Sequence, residues 1–318
     1  MRKEYVLLGA LLNVLVVSKG LAQTHEEPIL YGNMENWVVR NIHESAVIGG
    51  NDKTLYEIGP SKTIDGNHPY KNMGHSPWGT SNVLAKVMGV VKGSASVFRD
   101  SHGSGHCAKM LTHVERVKVL GLVNINVLAA GSIYLGDITE PVTGSKDGER
   151  SLNWGVPYAK RPTALRFDYR VLLSGQANRI RQSGGKATPV AGKDNPVALL
   201  LLQKRTEDSK GNVTAQRVGT IVIEYDKNTN GWVENATYPI WYGDIRQRPG
   251  YNAQSMGLRN VDYVRNSKGK QVLLKETGWA DKDETPTHLI IQFSSSNGGA
   301  FVGSPGNTFW IDNVSLVF

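Results

Sequence analysis

Aromatic side chains in or beside loops are the residues of this chain that most readily suggest a chemistry. Trp78, Trp154 and Tyr158 stand next to Gly, Pro or Asn residues, and Trp241 lies two residues from Pro239 and from Gly243. Sugar rings pack their C–H faces on aromatic rings, while nearby polar groups bond the hydroxyls. Tryptophans also fill the core of a β-sandwich, so both interpretations stay open. The residues predicted to bind a sugar are Trp78, Asn82, Trp154, Tyr158, Arg161 and Trp241.

Two acidic residues suggest a metal site. Glu35 lies near the start of the fold and Asp312 lies in its final strand. The first and last strands of a jelly roll are commonly neighbours, so the two carboxylates are expected to meet. With backbone carbonyls from glycine-rich loops they would form an oxygen site suited to Ca²⁺. The alternative is that each acid accepts hydrogen bonds from backbone N–H groups at a turn. A structural Ca²⁺ is the one cofactor predicted.

A short segment, 102–107, contains two histidines and Cys107, the only cysteine of the chain. Its spacing does not match a structural zinc framework, and its Gly and Ser residues favour a loop. A lone cysteine cannot form an intramolecular disulfide. Cys107 is therefore interpreted as a small buried hydrophobe.

Paired acids could cleave glycosidic bonds, but the sequence does not single out a pair. The candidates are Asp168, Glu224, Glu234 and Asp244. The chain lacks a GxSxG elbow, an HExxH zinc motif and a GxxxxGK[ST] phosphate loop, so the corresponding enzyme classes lose support. No catalytic residue is assigned.

The sequence predicts that the segments carrying these residues form mainly β-strands. Turn-forming Gly, Pro and Asn residues separate the segments, and sustained helical periodicity is absent apart from a short helix expected near 252–259. Such a pattern predicts an all-β jelly-roll β-sandwich. Residues 42–82 are expected to form a long irregular loop. The predicted strands are 83–87, 96–99, 107–119, 127–136, 163–173, 197–206, 217–226, 237–242, 287–294 and 308–318.

The closing stretch contains an acid in an apolar pattern. Trp310, Val314 and Leu316 alternate in a way that predicts a half-buried strand, with Asp312 on the same face. A carboxylate there is costly unless it is hydrogen-bonded, paired or bound to a metal.

The N-terminus predicts export. Arg2 and Lys3 precede a short apolar run, and small residues precede a cut after Ala22, as in a secretory signal peptide. No cysteine follows that run, so a lipoprotein is not expected. Removing residues 1–22 lowers the basic residues from 36 to 33 and the acidic residues from 28 to 27, which changes the net charge from +8 to +6. This mild, dispersed charge does not indicate nucleic-acid binding, and no later segment is apolar enough for a transmembrane helix.

Four segments resemble the carbohydrate-metabolism domain (PCMD) family of Bacteroidetes: PWGTSN at 77–82, AAGSIYLG at 129–136, GVPYAKRPTAL at 155–165, and the closing residues 294–318. The resemblance implies a jelly roll similar to galactose-binding-like and carbohydrate-binding modules, in exported proteins linked to glycan use. It transfers no catalytic residues. The early Glu35 and late Asp312 also resemble the acids that share a structural ion in calcium-binding carbohydrate modules.

Together these observations predict a signal peptide over 1–22 and a single domain over 23–318, located in the periplasm or secreted. The predicted function is a non-catalytic glycan-binding or glycan-utilisation accessory protein whose partner is a carbohydrate. One alternative is a glycoside hydrolase or lyase that uses an acid pair in the same groove. The other is a structural or adhesive envelope protein without a small ligand.

Overall fold

A computed structural model describes residues 25–119, 123–144 and 148–318, and the predicted signal peptide lies outside this range. The described chain contains one short α-helix, α1 (Ala253–Met256), and two 3₁₀ turns, Ala46–Ile48 and Glu149–Ser151. Asn252 caps α1 by accepting a hydrogen bond from the Gln254 backbone N–H at 2.9 Å. The strands are β1 (Glu26–Pro28), β2 (Trp37–His43), β3 (Asp52–Ile58), β4 (Lys62–Asp65), β5 (Trp78–Thr80), β6 (Val83–Val87), β7 (Val90–Ser94), β8 (Val97–His102), β9 (Gly105–Leu111), β10 (His113–Val119), β11 (Val123–Ala129), β12 (Ser132–Ile138), β13 (Leu152–Trp154), β14 (Val156–Pro157), β15 (Ala164–Leu172), β16 (Arg179–Arg181), β17 (Ser183–Gly184), β18 (Thr188–Val190), β19 (Val197–Glu207), β20 (Val213–Glu224), β21 (Val233–Pro239), β22 (Trp241–Tyr242), β23 (Tyr263–Arg265), β24 (Gln271–Trp279), β25 (His288–Ser294), β26 (Val302–Gly303) and β27 (Thr308–Val317).

Two large sheets form a jelly-roll β-sandwich, which confirms the predicted fold class. The first sheet has the order β21-β15-β27-β9-β8, and β1 also pairs with β27. The second sheet has the order β13-β12-β25-β19-β20-β24-β23, with β5, β14 and β22 attached to it. The first and last strands are therefore neighbours, as the jelly-roll prediction required.

The main hydrophobic core lies between these two sheets. Leu165, Phe167 and Ile311 of the first sheet belong to the same buried cluster as Leu200 and Ile291 of the second. Phe167 and Phe293 meet across the layers with ring centroids 4.9 Å apart. Because side chains alternate along a strand, the residues between these core positions face outward on each sheet.

A second apolar cluster covers part of the outer face of the second sheet. It contains Leu201 and Ile290 from β19 and β25, and Val264 and Leu274 from β23 and β24 at the end of the same sheet. The apolar run 197–202 is consequently buried on both faces, as expected. Beyond this cluster the outer face opens into a groove.

The final strand differs from the sequence prediction at one residue. Phe309 and Ile311 face the core, and so do Val314 and Leu316, which requires an extra residue between the two pairs. Asn313 supplies it in a left-handed conformation with φ of 50°, where the register to β15 shifts. This β-bulge turns Trp310 and Asp312 away from the core. The prediction that Asp312 shares the face of Val314 and Leu316 was wrong, because strict alternation does not survive a bulge.

The prediction of an irregular loop over 42–82 was also wrong. This segment contains β3, β4 and β5, and β2 pairs with β3 along its whole length. The strand β24 was not predicted either. Within the described residues, no helix is long and apolar enough to cross a membrane.

Candidate functional site

The groove lies on the outer face of the second sheet and has a volume of about 640 Å³. Its floor consists of outward-facing positions on β12, β25, β19 and β20, arranged in two cross-strand rows. One row is Tyr134, Gln292, Leu199 and Val222, and the other is Ser132, Ser294, Val197 and Glu224.

The walls of the groove come from loops and edge strands. Residues of β13 and of the segment around α1 supply Leu152, Trp154, Asn252, Gln254, Ser255, Arg259, Val261 and Asp262. Segments before β19 and after β25 supply Lys193, Asn195, Ser296, Asn297, Gly299, Ala300 and Phe301. Arg179 and Glu149 also line the groove. The volume lies within the range of small-molecule sites in proteins.

Trp154 and Tyr134 form an aromatic pair in this lining. Their ring centroids are 4.7 Å apart and their planes are inclined by 43°. Arg205 fixes the strand that carries Trp154, because its Nη2 donates to the Trp154 carbonyl at 2.9 Å. Burial lowers the pKa of Arg205 to about 10. Both rings belong to the second apolar cluster, with 8% of Trp154 and 1% of Tyr134 exposed, so Trp154 supplies the aromatic surface that faces the groove and Tyr134 packs behind it.

Two polar side chains of the groove lining have hydrogen-bonding atoms without partners. In the described part of the chain, the side-chain amide of Gln292 has no hydrogen-bond partner although it lies on the floor beside Tyr134. The Oδ1 atom of Asn195 is buried and likewise lacks a donor. Such groups can accept from or donate to ligand hydroxyls without first breaking a protein hydrogen bond.

The charged groups of the groove fall into two kinds. Arg259 binds Asp262 through two hydrogen bonds of 2.7 Å, which neutralises that pair. Within the described residues, Glu149, Glu224, Arg179 and Lys193 form no ion pair, although each lines the groove.

Trp78 and Asn82, both predicted to bind sugar, lie in the interior. Trp78 is 0% exposed, and its indole N–H donates to the Leu30 carbonyl at 2.9 Å. Asn82 is also 0% exposed. Its Oδ1 accepts from Ser96 N and Val97 N, and its Nδ2 donates to the carbonyls of Tyr56 and Val97. Neither side chain presents a surface to a ligand, because core packing and backbone bonds occupy them.

Tyr158, Arg161 and Trp241 lie outside the groove lining. Tyr158 packs against the main core, and its buried hydroxyl has no partner among the described residues. Arg161 donates to the backbone carbonyls of residues 282 and 284 and stacks over Tyr242 at 4.2 Å from the ring centroid. Trp241 is partly exposed under the guanidinium of Arg248, 5.6 Å from the ring centroid. Of the six residues predicted to bind sugar, Trp154 alone lines the groove.

Glu35 and Asp312 both reach the β8–β9 hairpin, but each bonds a different histidine. Glu35 accepts from the His106 backbone N–H at 3.0 Å and contacts the His106 ring at 3.1 Å. Asp312 contacts Nδ1 of His102 at 2.7 Å and accepts from Asn313 N at 2.8 Å. Burial raises the pKa of Asp312 to about 6. No group of three or more His, Cys, Asp or Glu side chains in the described chain is arranged to hold a metal. Calcium binding at this pair stays a prediction.

The 102–107 segment contains the turn of the β8–β9 hairpin, at residues 103–104, and the strand residues that flank it. Cys107 is fully buried, in keeping with its interpretation as a small hydrophobe, and burial raises the pKa of its thiol to about 12. His102 stacks on Trp232 with ring centroids 3.8 Å apart and contacts Glu234 at 3.1 Å.

The four candidate acids do not gather in one place. Glu224 lines the groove. Glu234 contacts His102, Asp244 is paired with Arg246 at 2.6 Å, and Asp168 is buried with bonds to Asn235 N and Asn313 Nδ2.

Sequence reasoning missed most of the groove. Tyr134, Gln292, Asn195, Arg179 and Lys193 were not singled out. One signal was available: Ser132, Tyr134, Gln292 and Ser294 are polar or amphipathic residues at alternate positions of otherwise apolar strands. The pairing of those strands, which brings the positions together, is not visible in the sequence.

The comparisons with known proteins find solved structures that match this chain at low sequence identity. No family model matches the chain, and no curated protein matches it. One similar structure is described as a "putative glycoside hydrolase" from Bacteroides thetaiotaomicron, with 16% identity, a TM-score of 0.43, and 84% of this chain and 75% of that chain covered. A second, also described as a "putative glycoside hydrolase", is from Bacteroides vulgatus, with 15% identity, a TM-score of 0.44, and 89% and 96% covered.

Proposed function

We propose that the protein is an exported glycan-binding protein that serves glycan utilisation and holds a saccharide in the groove of the second sheet. The observation that supports this most is the combination at the groove floor. The exposed edge of Trp154, which is held by its contact with the buried Tyr134, borders the same groove as the uncommitted amide of Gln292. Saccharide sites need an apolar surface for the ring and free polar groups for the hydroxyls. The alternative of an adhesive protein without a small ligand is less favoured, because it does not call for such a groove.

The test compares Gln292→Ala with Gln247→Ala. Neither glutamine side chain has a hydrogen-bond partner within the described chain, but Gln247 is exposed and lies outside the groove lining, next to the Arg248 that covers Trp241. Affinity electrophoresis through gels containing a panel of polysaccharides identifies a ligand for the wild type. Gln292→Ala is expected to weaken its retention about tenfold, the effect of losing one or two hydrogen bonds. Gln247→Ala is expected to bind as the wild type does. The reverse pattern would place binding at the Trp241 surface and contradict the proposal.

A second candidate function is glycoside cleavage in the same groove. Glu149 and Glu224 are the observation that favours it, because both line the groove and neither forms an ion pair among the described residues. Hydrolysis needs two carboxyl groups about 5–10 Å apart across the scissile bond. Release of reducing ends from the bound polysaccharide, lost in both Glu149→Gln and Glu224→Gln, would establish catalysis. Binding without release in prolonged incubation would leave a binding protein.

The calcium prediction for Glu35 and Asp312 is tested by thermal melting. A bound ion that prefers the folded state raises the midpoint, and its removal lowers it. Two results together would support the site. In the wild type, excess chelator lowers the melting midpoint and added Ca²⁺ restores it. In Asp312→Asn, added Ca²⁺ does not raise the midpoint. An unchanged midpoint in chelator would contradict it.

A further inference from the structure

Two basic residues in the groove lack a carboxylate partner. Arg179 on β16 and Lys193, three residues after β18, both line it, and neither forms an ion pair in the described part of the chain. The Nε atom of Arg179 is buried and has no hydrogen-bond partner. A buried guanidinium donor without an acceptor is costly, so the site favours a ligand that supplies one. Arg259, in contrast, already has Asp262.

Asp194 is the carboxylate on which the charge of Arg179 acts, but its oxygens accept hydrogen bonds from other groups. Asp194 is buried, and its Oδ1 accepts from Ser296 Oγ at 2.7 Å. Its Oδ2 accepts from Ser304 N at 2.7 Å and from Asn307 Nδ2 at 3.1 Å. Burial raises the pKa of Asp194, and the charge of Arg179 opposes that shift only weakly. Asp194 therefore holds the 296–307 segment and leaves the guanidinium of Arg179 without a bonded oxygen.

The backbone holds Arg179 in place for a ligand. Strand β16 pairs with β18 on one side and with β26 on the other, and Arg179 N donates to the Gly192 carbonyl at 3.0 Å. Asn195, two residues from Lys193, adds its unpartnered Oδ1 to the same lining. Glu224 is the nearby acid of the floor, but it is exposed, and solvent screens its repulsion of an anion.

We propose that the groove selects an acidic glycan. The anionic group, either a uronate carboxylate or a sulfate ester, binds Arg179 and Lys193, and a hydroxyl of the same saccharide donates to Asn195. A planar guanidinium matches two oxygens of such a group, whereas a neutral sugar leaves both positive charges unpaired. This inference rests on the proposed glycan-binding function and adds the class of ligand.

The experiment measures, by affinity electrophoresis, how strongly matched acidic and neutral polymers retain the protein. Polygalacturonate is compared with its carboxyl-reduced form, and dextran sulfate with dextran. Three proteins are used: the wild type, Arg179→Gln/Lys193→Gln, and Lys210→Gln, in which an exposed lysine outside the groove is neutralised. The wild type is expected to bind at least one acidic polymer about tenfold more tightly than its neutral partner. The double variant is expected to lose that difference and to keep its affinity for the neutral polymer.

The outcomes separate this inference from the function on which it rests. The pair of polymers that shows the difference identifies uronate or sulfate as the anion. Equal retention of acidic and neutral polymers by the wild type overturns the inference and leaves glycan binding intact. The inference is also overturned if Lys210→Gln loses as much of the preference for acidic polymers as the double variant does, because the net charge of the protein would then explain that preference. If no polymer of a full panel, acidic or neutral, retains the wild type, both the proposed function and this inference are contradicted.

Discussion

The role of a single polar residue in this protein depends on whether its side chain bonds buried backbone groups or remains free for a ligand. Asn82 was predicted from its type to bind a sugar hydroxyl. In the structure its amide bonds four backbone groups of two segments, at Tyr56 and at Ser96 and Val97, with 0% exposure. A sequence shows that an Asn can make these bonds but not whether protein or ligand supplies the partners, and this is why residue type alone misassigned the environment of Trp78 and Asn82.

Asn82→Ala is expected to destabilise the fold by about 3 kcal/mol, because it leaves several buried backbone groups unsatisfied. Urea denaturation followed by fluorescence measures the change. Asn51→Ala, at an exposed asparagine, serves as the control and should stay within about 0.5 kcal/mol of the wild type. A stable Asn82→Ala that has lost glycan binding would show instead that Asn82 contacts the ligand.

At the scale of elements, the alternation of side chains was a sound guide, and its failures have specific causes. Strands 163–173, 287–294 and 308–318 were placed to within a residue at each end. The Asn313 bulge then reversed the face of Asp312, since one inserted residue exchanges the two sides of a strand. The groove floor combines β12, β25, β19 and β20, and strand order is a long-range property that local pattern does not encode.

The β8–β9 hairpin provides a pH-dependent contact with its neighbours. His102 lies between Asp312 of β27 and Glu234 of β21, and stacks on Trp232. Burial alone would lower the pKa of His102, but hydrogen bonds to Asp312 and Glu234 raise it above its ordinary value of 6.5. The protonated form is therefore stabilised in the folded state. This contribution is complete below the ordinary pKa and is lost as the pH rises through the raised one.

The free energy of unfolding is accordingly expected to fall as the pH increases from 6.5 upward, and to fall less in His102→Asn. Denaturation curves at successive pH values measure this difference. The pKa of Asp312 is raised to about 6, so its own loss with rising pH occurs mainly below this window. His75→Asn, at an exposed histidine outside this network, should follow the wild type. Parallel curves for wild type and His102→Asn would mean that His102 carries no extra proton in the fold.

At the scale of the whole molecule, the two faces of the second sheet have different surroundings. One face builds the main core with the first sheet. The other is covered at one end by an apolar cluster and open at the other, where it forms the groove. Tyr134 and Trp154 belong to that cluster and also border the groove, which Gln292, Arg179 and Lys193 line with them. The sequence identified Trp154 among its candidates, while the remaining residues required the tertiary arrangement of strands and loops.

The central claim is that a saccharide binds in this groove. The most direct measurement is a crystal structure of the protein with an oligosaccharide of the polymer that it retains. The account predicts a sugar ring against the exposed edge of Trp154 with a hydroxyl bonded to Gln292, and with any acidic group beside Arg179. A saccharide bound on the surface around Trp241 and Arg248, with the groove empty, would contradict it.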